Sequence, residues 1–212
     1  MPEVVSIAST DPDDTILGAG ANTVTVGGLC DLGCIHTETI ELNGQTPVDT
    51  VRKYSRVFRV MNTSKEGHDL QGQLYVGPKS TTWTGGEPDH VLAHVNNGNN
   101  QTQMALYTVP AGYTLLIYNV VVCSHKDKEM EVGVYARGAD INDLSNSMVM
   151  GLKINWLLYR NIFVNSLGLN PFTFPEHTDF EFRAKNLGTG SERITANATG
   201  LLIPNKYITG AR

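Results

Sequence analysis

Apolar and polar residues alternate in short runs along this chain, roughly every 10 to 15 residues, with turn-forming residues between them. The pattern predicts β-strands. Its strongest run is 101–122, QTQMALYTVPAGYTLLIYNVVV, in which residues 104–109 lead into Pro110-Ala111-Gly112 and 113–122 lead out. Proline presets φ at the first turn position and glycine accepts a positive φ at the next, so two strands folded on one turn are expected. With 129–136 as a third strand, and Lys126-Asp127-Lys128 as the second turn, residues 101–137 predict a three-stranded meander.

Other runs carry similar signals. Residues 22–26, NTVTV, predict a strand broken by Gly27-Gly28. IHTETIEL at 35–42, then Asn43-Gly44, then TPVDT at 46–50 predict a hairpin, with Pro47 placing the returning strand at a sheet edge. YSRVFRVM at 54–61 favours strand over helix, because Val and Phe cluster and no helix cap precedes them. Residues 70–76 predict a further strand.

Between 77 and 100 the apolar pattern dissolves into a long central loop, within which 91–95 is a short strand or a helical turn. Residues 139–147 read as a turn of helix or a loop. An amphipathic helix can be drawn through 148–164 on Leu152, Trp156 and Tyr159. The β-branched and aromatic content favours a strand instead, with Trp156, Leu158, Arg160, Ile162 and Val164 on one face. Segments 172–174 and 179–184 alternate aromatic with polar residues, and 194–203 predicts the last strand.

Many short strands and no long helix define the class: all-β, an antiparallel β-sandwich of jelly-roll-like type. Residues 4–8 could make a short first strand. The polar, glycine-rich stretch after them reads 1–22 as an extended N-terminal arm and 23–212 as the sandwich domain, with a possible sub-boundary near 77–100.

Composition narrows the partners. A net charge of −5 gives no basic surface for nucleic acid. No run of about 18 apolar residues predicts a membrane span. The opening MPEVVSIASTDPDD lacks a basic then apolar leader, so folding in a cytosol is expected. Three cysteines in that compartment predict three reduced thiols at Cys30, Cys34 and Cys123. A zinc site on CDLGC would need two more good ligands; His36 is close, but no familiar spacing completes the set.

Candidate chemistry is sparse. His90 and His94 are four apart, yet Val91 stands where a metalloprotease helix needs glutamate, so two loop histidines are expected. No serine sits in a Gly-x-Ser-x-Gly turn, and the glycines at Gly18 and Gly20 predict a turn rather than a phosphate cradle. Glu176, His177 and Asp179 allow a carboxylate–imidazole contact, against the simpler reading of a polar loop. The expectation is no catalytic, cofactor-binding or metal residue. Trp83, an aromatic in a polar loop, either anchors that loop or stacks on a partner, and Asn97 and Asn99 are its companions as candidate partner contacts.

Two segments carry a resemblance. HTETIELNGQTPVDT, residues 36–50, and QTQMALYTVPAGYT, residues 101–114, resemble segments of uncharacterised virion structural proteins of tailed bacteriophages, in the same order and with a similar separation. The likeness covers roughly the first 120 residues. CDLGC departs from it, standing where that family has an Asp- and Asn-rich turn, and so does the long Trp83 loop.

The resemblance implies a virion component made in the host cytoplasm. Within that frame the expectation is a capsid-surface decoration or cement protein, not an enzyme. It would form a homo-oligomer, a trimer by preference, and bind the major capsid protein, with the arm as tether. The alternative is a tail- or fibre-associated adhesin that binds host surface glycan through the Trp83 loop and the asparagine turn. In that case its virion partners are tail proteins.

Overall fold

The structure, a computed structural model, describes residues 2–65, 67–125, 129–137, 151–158, 164–165, 171–189 and 194–208. Among the described residues it is all-β apart from one four-residue helix, and the chain divides into two compact units, Met1–Met104 and Ala105–Arg212. The division falls just past the stretch 77–100, near the sub-boundary read within 23–212.

The first unit is built from β1 (Glu3–Ser9), β2 (Thr23–Leu29), β3 (Ile35–Glu41), β4 (Val48–Tyr54), β5 (Arg56–Asn62), β6 (Leu74–Pro78), β7 (Trp83–Thr84), β8 (Glu87–Pro88) and β9 (Ala93–Val95). Two antiparallel sheets, β4-β1-β6-β9 and β3-β2-β5, share one core. Val5 and Ile7 enter it from β1, Val24 and Val26 from β2, Val57 and Val60 from β5, Leu74 and Val76 from β6. The pairs on β1, β2 and β6 are two residues apart, the period that puts side chains on one face of a strand, and Val57 and Val60 are three apart because β5 passes the register shift opposite Gly27-Gly28. The sandwich follows from that alternation on both sheets.

The extended arm is not what forms. β1 lies between β4 and β6, paired on both sides, and Ile7 is fully buried. Its five apolar and small residues outweigh the polar stretch that follows. That stretch is itself tied down by Asp14, a buried carboxylate. Asp14 Oδ1 accepts N–H bonds from Ala21 (2.8 Å) and Gln71 (3.0 Å), and Oδ2 accepts Ser9 Oγ–H and the Gly72 N–H (3.0 Å). A buried carboxylate is tolerated when its lone pairs are used in this way.

Asn43-Gly44 does make a tight turn, with Gly44 at φ +57° and the Thr46 N–H on the Asn43 carbonyl at 3.0 Å. It does not close a hairpin: β3 pairs with β2 and β4 with β1, so the turn carries the chain from one sheet to the other. Gly27-Gly28 does not end β2. The strand bulges there, and a Cβ on Gly28 would lie 2.2 Å from the Arg56 carbonyl, so glycine serves close strand approach.

The second unit contains β10 (Leu106–Thr108), β11 (Tyr113–Ser124), β12 (Met130–Arg137), β13 (Gly151–Leu158), β14 (Val164–Asn165), β15 (Phe172–Phe174), β16 (Asp179–Asn186), β17 (Ile194–Pro204) and α1 (Asn205–Ile208). One sheet runs β10-β16-β12-β13. In the other, β11 pairs with β17 along one edge and with β15 and β14 along the other. Leu115, Ile117, Val120 and Val122 of β11 meet Met130, Val132, Leu158, Phe174 and Phe180 in a second core. The odd-to-even switch between Ile117 and Val120 is a β-bulge: the register with β17 slips there, and Tyr118 turns outward.

The three-stranded meander is likewise replaced. β10 and β12 lie in one sheet with β16 between them, and β11 lies in the other. Pro110-Ala111-Gly112 is a sheet-crossing turn, with Gly112 at φ +78° and the Tyr113 N–H on the Pro110 carbonyl. The strand reading of 54–61 holds in β5, and that of 148–164 holds over 151–158 in β13, but Val164 does not share a face with Trp156 and Leu158, because it lies on β14 in the other sheet. Lys126-Asp127-Lys128, 139–147, 148–150, and Arg160 and Ile162 lie outside the described residues.

Candidate functional site

Trp83 sits in the small hairpin β7–β8, which turns on Gly85 and Gly86, both at positive φ. Gly86 packs so closely on the Ser9 carbonyl that a Cβ would fall 1.9 Å from it. The hairpin is thus pinned to the scaffold. The Trp83 ring is half-buried, and its indole N–H is buried with no hydrogen-bond partner among the described residues.

Asn97 donates its side-chain N–H to the Gln71 carbonyl, and the Asn99 N–H closes a turn on the Asn96 carbonyl at 3.0 Å. Neither asparagine is joined to Trp83 by a hydrogen bond or ring contact among the described residues. Trp83 lies in the β7–β8 hairpin, and Asn97 and Asn99 lie in the turn that follows β9.

His94 lies on β9, not on a helix, so its four-residue spacing from His90 has no geometric meaning. Its ring stacks on Tyr75 with centroids 4.6 Å apart, and Nε2 is 3.2 Å from Gln73 Oε1. Burial pushes its pKa below the ordinary histidine value, against a smaller opposing pull from Glu87. In the second unit Asp179 pairs with Thr108 Oγ1 and Arg137 Nη2, while Glu176 accepts the Gly112 N–H. His177 holds φ +63° in the turn between β15 and β16. These groups brace turns and strand ends. Gly18 and Gly20 do the same for 13–20, donating to the Thr15 and Asp13 carbonyls.

The group with reactive chemistry is at the β2–β3 turn. Cys30 and Cys34 form a disulfide across Asp31-Leu32-Gly33, with Cα atoms 5.3 Å apart, and Cys123 is the free cysteine. Three reduced thiols are therefore not what the structure holds. The compartment argument speaks to the surrounding redox poise, whereas the tight turn puts the two sulfurs within bonding geometry whatever the compartment.

Cys30 is buried and Cys34 exposed. Cys30 Sγ accepts the N–H groups of Leu32 (3.2 Å) and Cys34 (3.1 Å). On the other side His36 Nε2 lies 3.7 Å from Cys34 Sγ, and His36 Nδ1 lies 3.0 Å from Arg52 Nη1. Cys34, His36 and Glu38 are two apart and share a face of the edge strand β3. The two Glu38 carboxylate oxygens accept the backbone N–H groups of Val51 (2.7 Å) and Arg52 (3.0 Å), which sets Arg52 beside His36. Tyr54 lies in the same field: its phenol is pushed up to about 12, first by burial, then by Glu38, with Arg52 opposing.

His36 beside the cysteine pair is legible in the sequence. Arg52 and Glu38 are not, because β4 comes alongside β3 only through the fold. The ligand atoms of Cys30, Cys34 and His36 lie within 4.8 Å of one another, near enough to share an ion. Arginine can only donate, so His36 Nδ1 must accept, and its proton is on Nε2. A metal would need the lone pair on that same Nε2. With Arg52 in place, the set favours sulfur chemistry over metal binding.

Set against family models, curated proteins and solved structures, the chain matches none. No helix among the described residues is long and apolar enough to cross a membrane.

Proposed function

We propose that this chain is a structural virion protein of a tailed bacteriophage, a capsid-surface decoration or cement subunit. It works by associating with itself and with the shell, not by catalysis. One observation carries the mechanical part of this reading: an apolar outward face on the second unit. Among the described residues β13 is the edge strand of its sheet, and a register shift opposite Val134 and Tyr135 puts Leu152 and Leu157 on the same outward face. They are 49% and 62% exposed. Tyr135 on β12 continues that face, with the Arg183 guanidinium 4.8 Å from its ring centre. Exposed leucines side by side on an outer sheet face are a liability in a monomer and a contact surface in an assembly.

The phage assignment itself rests on the resemblance of residues 36–50 and 101–114. The glycan-binding alternative needs a Trp83 ring face open for stacking and free asparagine amides. The ring is half-buried and the Asn97 amide donates to the Gln71 carbonyl, which gives that reading less support.

Two measurements test the proposal. Quantitative mass spectrometry of purified particles should find hundreds of copies, released together with loss of shell stability. A handful of copies would move the protein to the tail. Sedimentation velocity should show a closed oligomer, a trimer, that Leu157→Asp dissociates. A monomer that is also absent from particles would end the structural reading.

A further inference from the structure

We propose that the Cys30–Cys34 disulfide is a thiol-exchange site, in which an incoming thiolate attacks the exposed Cys34 sulfur and Cys30 is expelled. Exchange requires an accessible sulfur to attack and a leaving sulfur whose charge is accommodated. The two cysteines divide these roles. Cys34 is open to solvent, whereas Cys30 is 4% exposed and its sulfur already faces two N–H donors. Attack on Cys30 would have to come from inside the fold.

The step is balanced. The incoming sulfur forms a bond to Cys34 Sγ, and the electron pair of the old S–S bond leaves on Cys30 Sγ, where the Leu32 and Cys34 N–H groups meet it. With a dithiol reductant, its second thiol then attacks its own sulfur in the mixed disulfide and releases Cys34. The protein gains two electrons, the reductant becomes a disulfide, and solvent supplies the protons. The charge released on Cys34 meets the Nε2–H of His36, whose tautomer is set by Arg52. With a monothiol, the reaction halts at the mixed disulfide until Cys30 attacks back.

Re-closure is provided for in the backbone. The Cys30 N–H bonds the Cys34 carbonyl at 2.9 Å, and Ser55 Oγ donates to the Cys30 carbonyl at 2.7 Å. Gly33, at φ +75°, donates to the Cys30 carbonyl at 3.1 Å. None of these bonds depends on sulfur, so the turn persists when the disulfide opens and holds the two thiols within reach.

The test uses the full oxidised chain with glutathione as monothiol and dithiothreitol as dithiol. Samples are quenched in acid, free thiols alkylated, and the chain cleaved before Asp31, which separates the two cysteines. Glutathione should be found on Cys34 and the alkyl group on Cys30, by about tenfold over the reverse. Equal labelling, adducts on Cys30, or a disulfide that dithiothreitol opens only after the chain is unfolded would each overturn the proposal.

His36→Ala, which leaves both cysteines and the turn in place, should shift the dithiothreitol equilibrium about fivefold toward the disulfide. An unchanged equilibrium would remove His36 from the site. Stoichiometric Zn²⁺ retained by the reduced chain and lost in His36→Ala would overturn the tautomer on which the inference stands.

Discussion

Each half of the chain buries one aspartate in an apolar sandwich, and the two solve the problem differently. In the first unit Asp14 is fully buried and meets no cation among the described residues; three backbone N–H groups and the Ser9 hydroxyl satisfy it. In the second, Asp179 is 8% exposed and pairs with Arg137 and Thr108. The first arrangement has little room to rehydrate or relax, because three of its four donors are backbone groups fixed in position and the fourth is the buried Ser9 hydroxyl. The second contains an arginine whose side chain is 34% exposed and can turn to water if its partner is lost. A buried charge is thus held either by many fixed dipoles or by one adjustable counter-charge, and the fixed version is the more brittle.

The cores differ in the same sense. That of residues 1–104 is mostly aliphatic, with Val, Ile and Leu packed around a single buried aromatic, Tyr54, among the described residues. That of 105–212 contains an aromatic stack, Phe174 on Phe180 at 5.3 Å between ring centres.

The sharpest way to break the comparison is to delete each carboxylate. Asp14→Ala leaves four buried donors unpaired and should cost about 4 kcal/mol, seen as an early denaturant transition of residues 1–104. Asp179→Ala should cost about 2 kcal/mol, because Arg137 rehydrates. Equal losses would refute the distinction drawn between them.

Next in size is an alkaline effect confined to the first unit. Tyr54 has its phenol raised to about 12 and its hydroxyl buried without a partner among the described residues. Above about 10 the unfolded chain releases a proton that the folded chain keeps. Stability is therefore complete below that pH and falls as the pH rises toward 12, by on the order of 2–3 kcal/mol. Tyr54→Phe should leave neutral stability unchanged or raised and should remove this part of the alkaline loss in pH-dependent denaturant melts. A variant that loses stability at neutral pH would mean that the hydroxyl has a partner.

The smallest test compares the two sheet-crossing turns. A Cβ on Gly44 would meet the Pro12 carbonyl at 2.9 Å as well as the positive φ, whereas one on Gly112 meets nothing within 4 Å. Gly44→Ala should cost about 2 kcal/mol and Gly112→Ala about 1 kcal/mol in thermal unfolding. If Gly112→Ala proves the costlier, backbone strain outweighs crowding at these turns.

Strands at 35–41, 56–62, 113–124, 179–186 and 194–204 were legible because alternation is a local property. The reach of β2 past Gly27-Gly28 was not, because a bulged, closely approached strand uses glycine where a free one would stop. Of the candidate site, Cys30, Cys34 and His36 could be seen together within seven residues of sequence. Trp83 and the two asparagines, Asn97 and Asn99, lie on two different braced turns. Arg52 and Glu38, which orient His36, could not be linked to it before the edges of β3 and β4 were side by side.

By itself the sequence determined the class of the protein and the places where the chain reverses. Alternation selects strands, and the φ demands of Asn-Gly and Pro-Ala-Gly select turns; both act over a few residues. Tertiary structure decided which strands pair. Asn43-Gly44 and Pro110-Ala111-Gly112 turn the chain as their residues require, yet each delivers the next strand to the opposite sheet. A tight turn sets direction, while pairing is set by which apolar faces bury one another, and that is a property of the whole unit. The same holds at the cysteines: five residues bring the sulfurs together, and the fold decides that one is buried, the other exposed, and a histidine is held beside it.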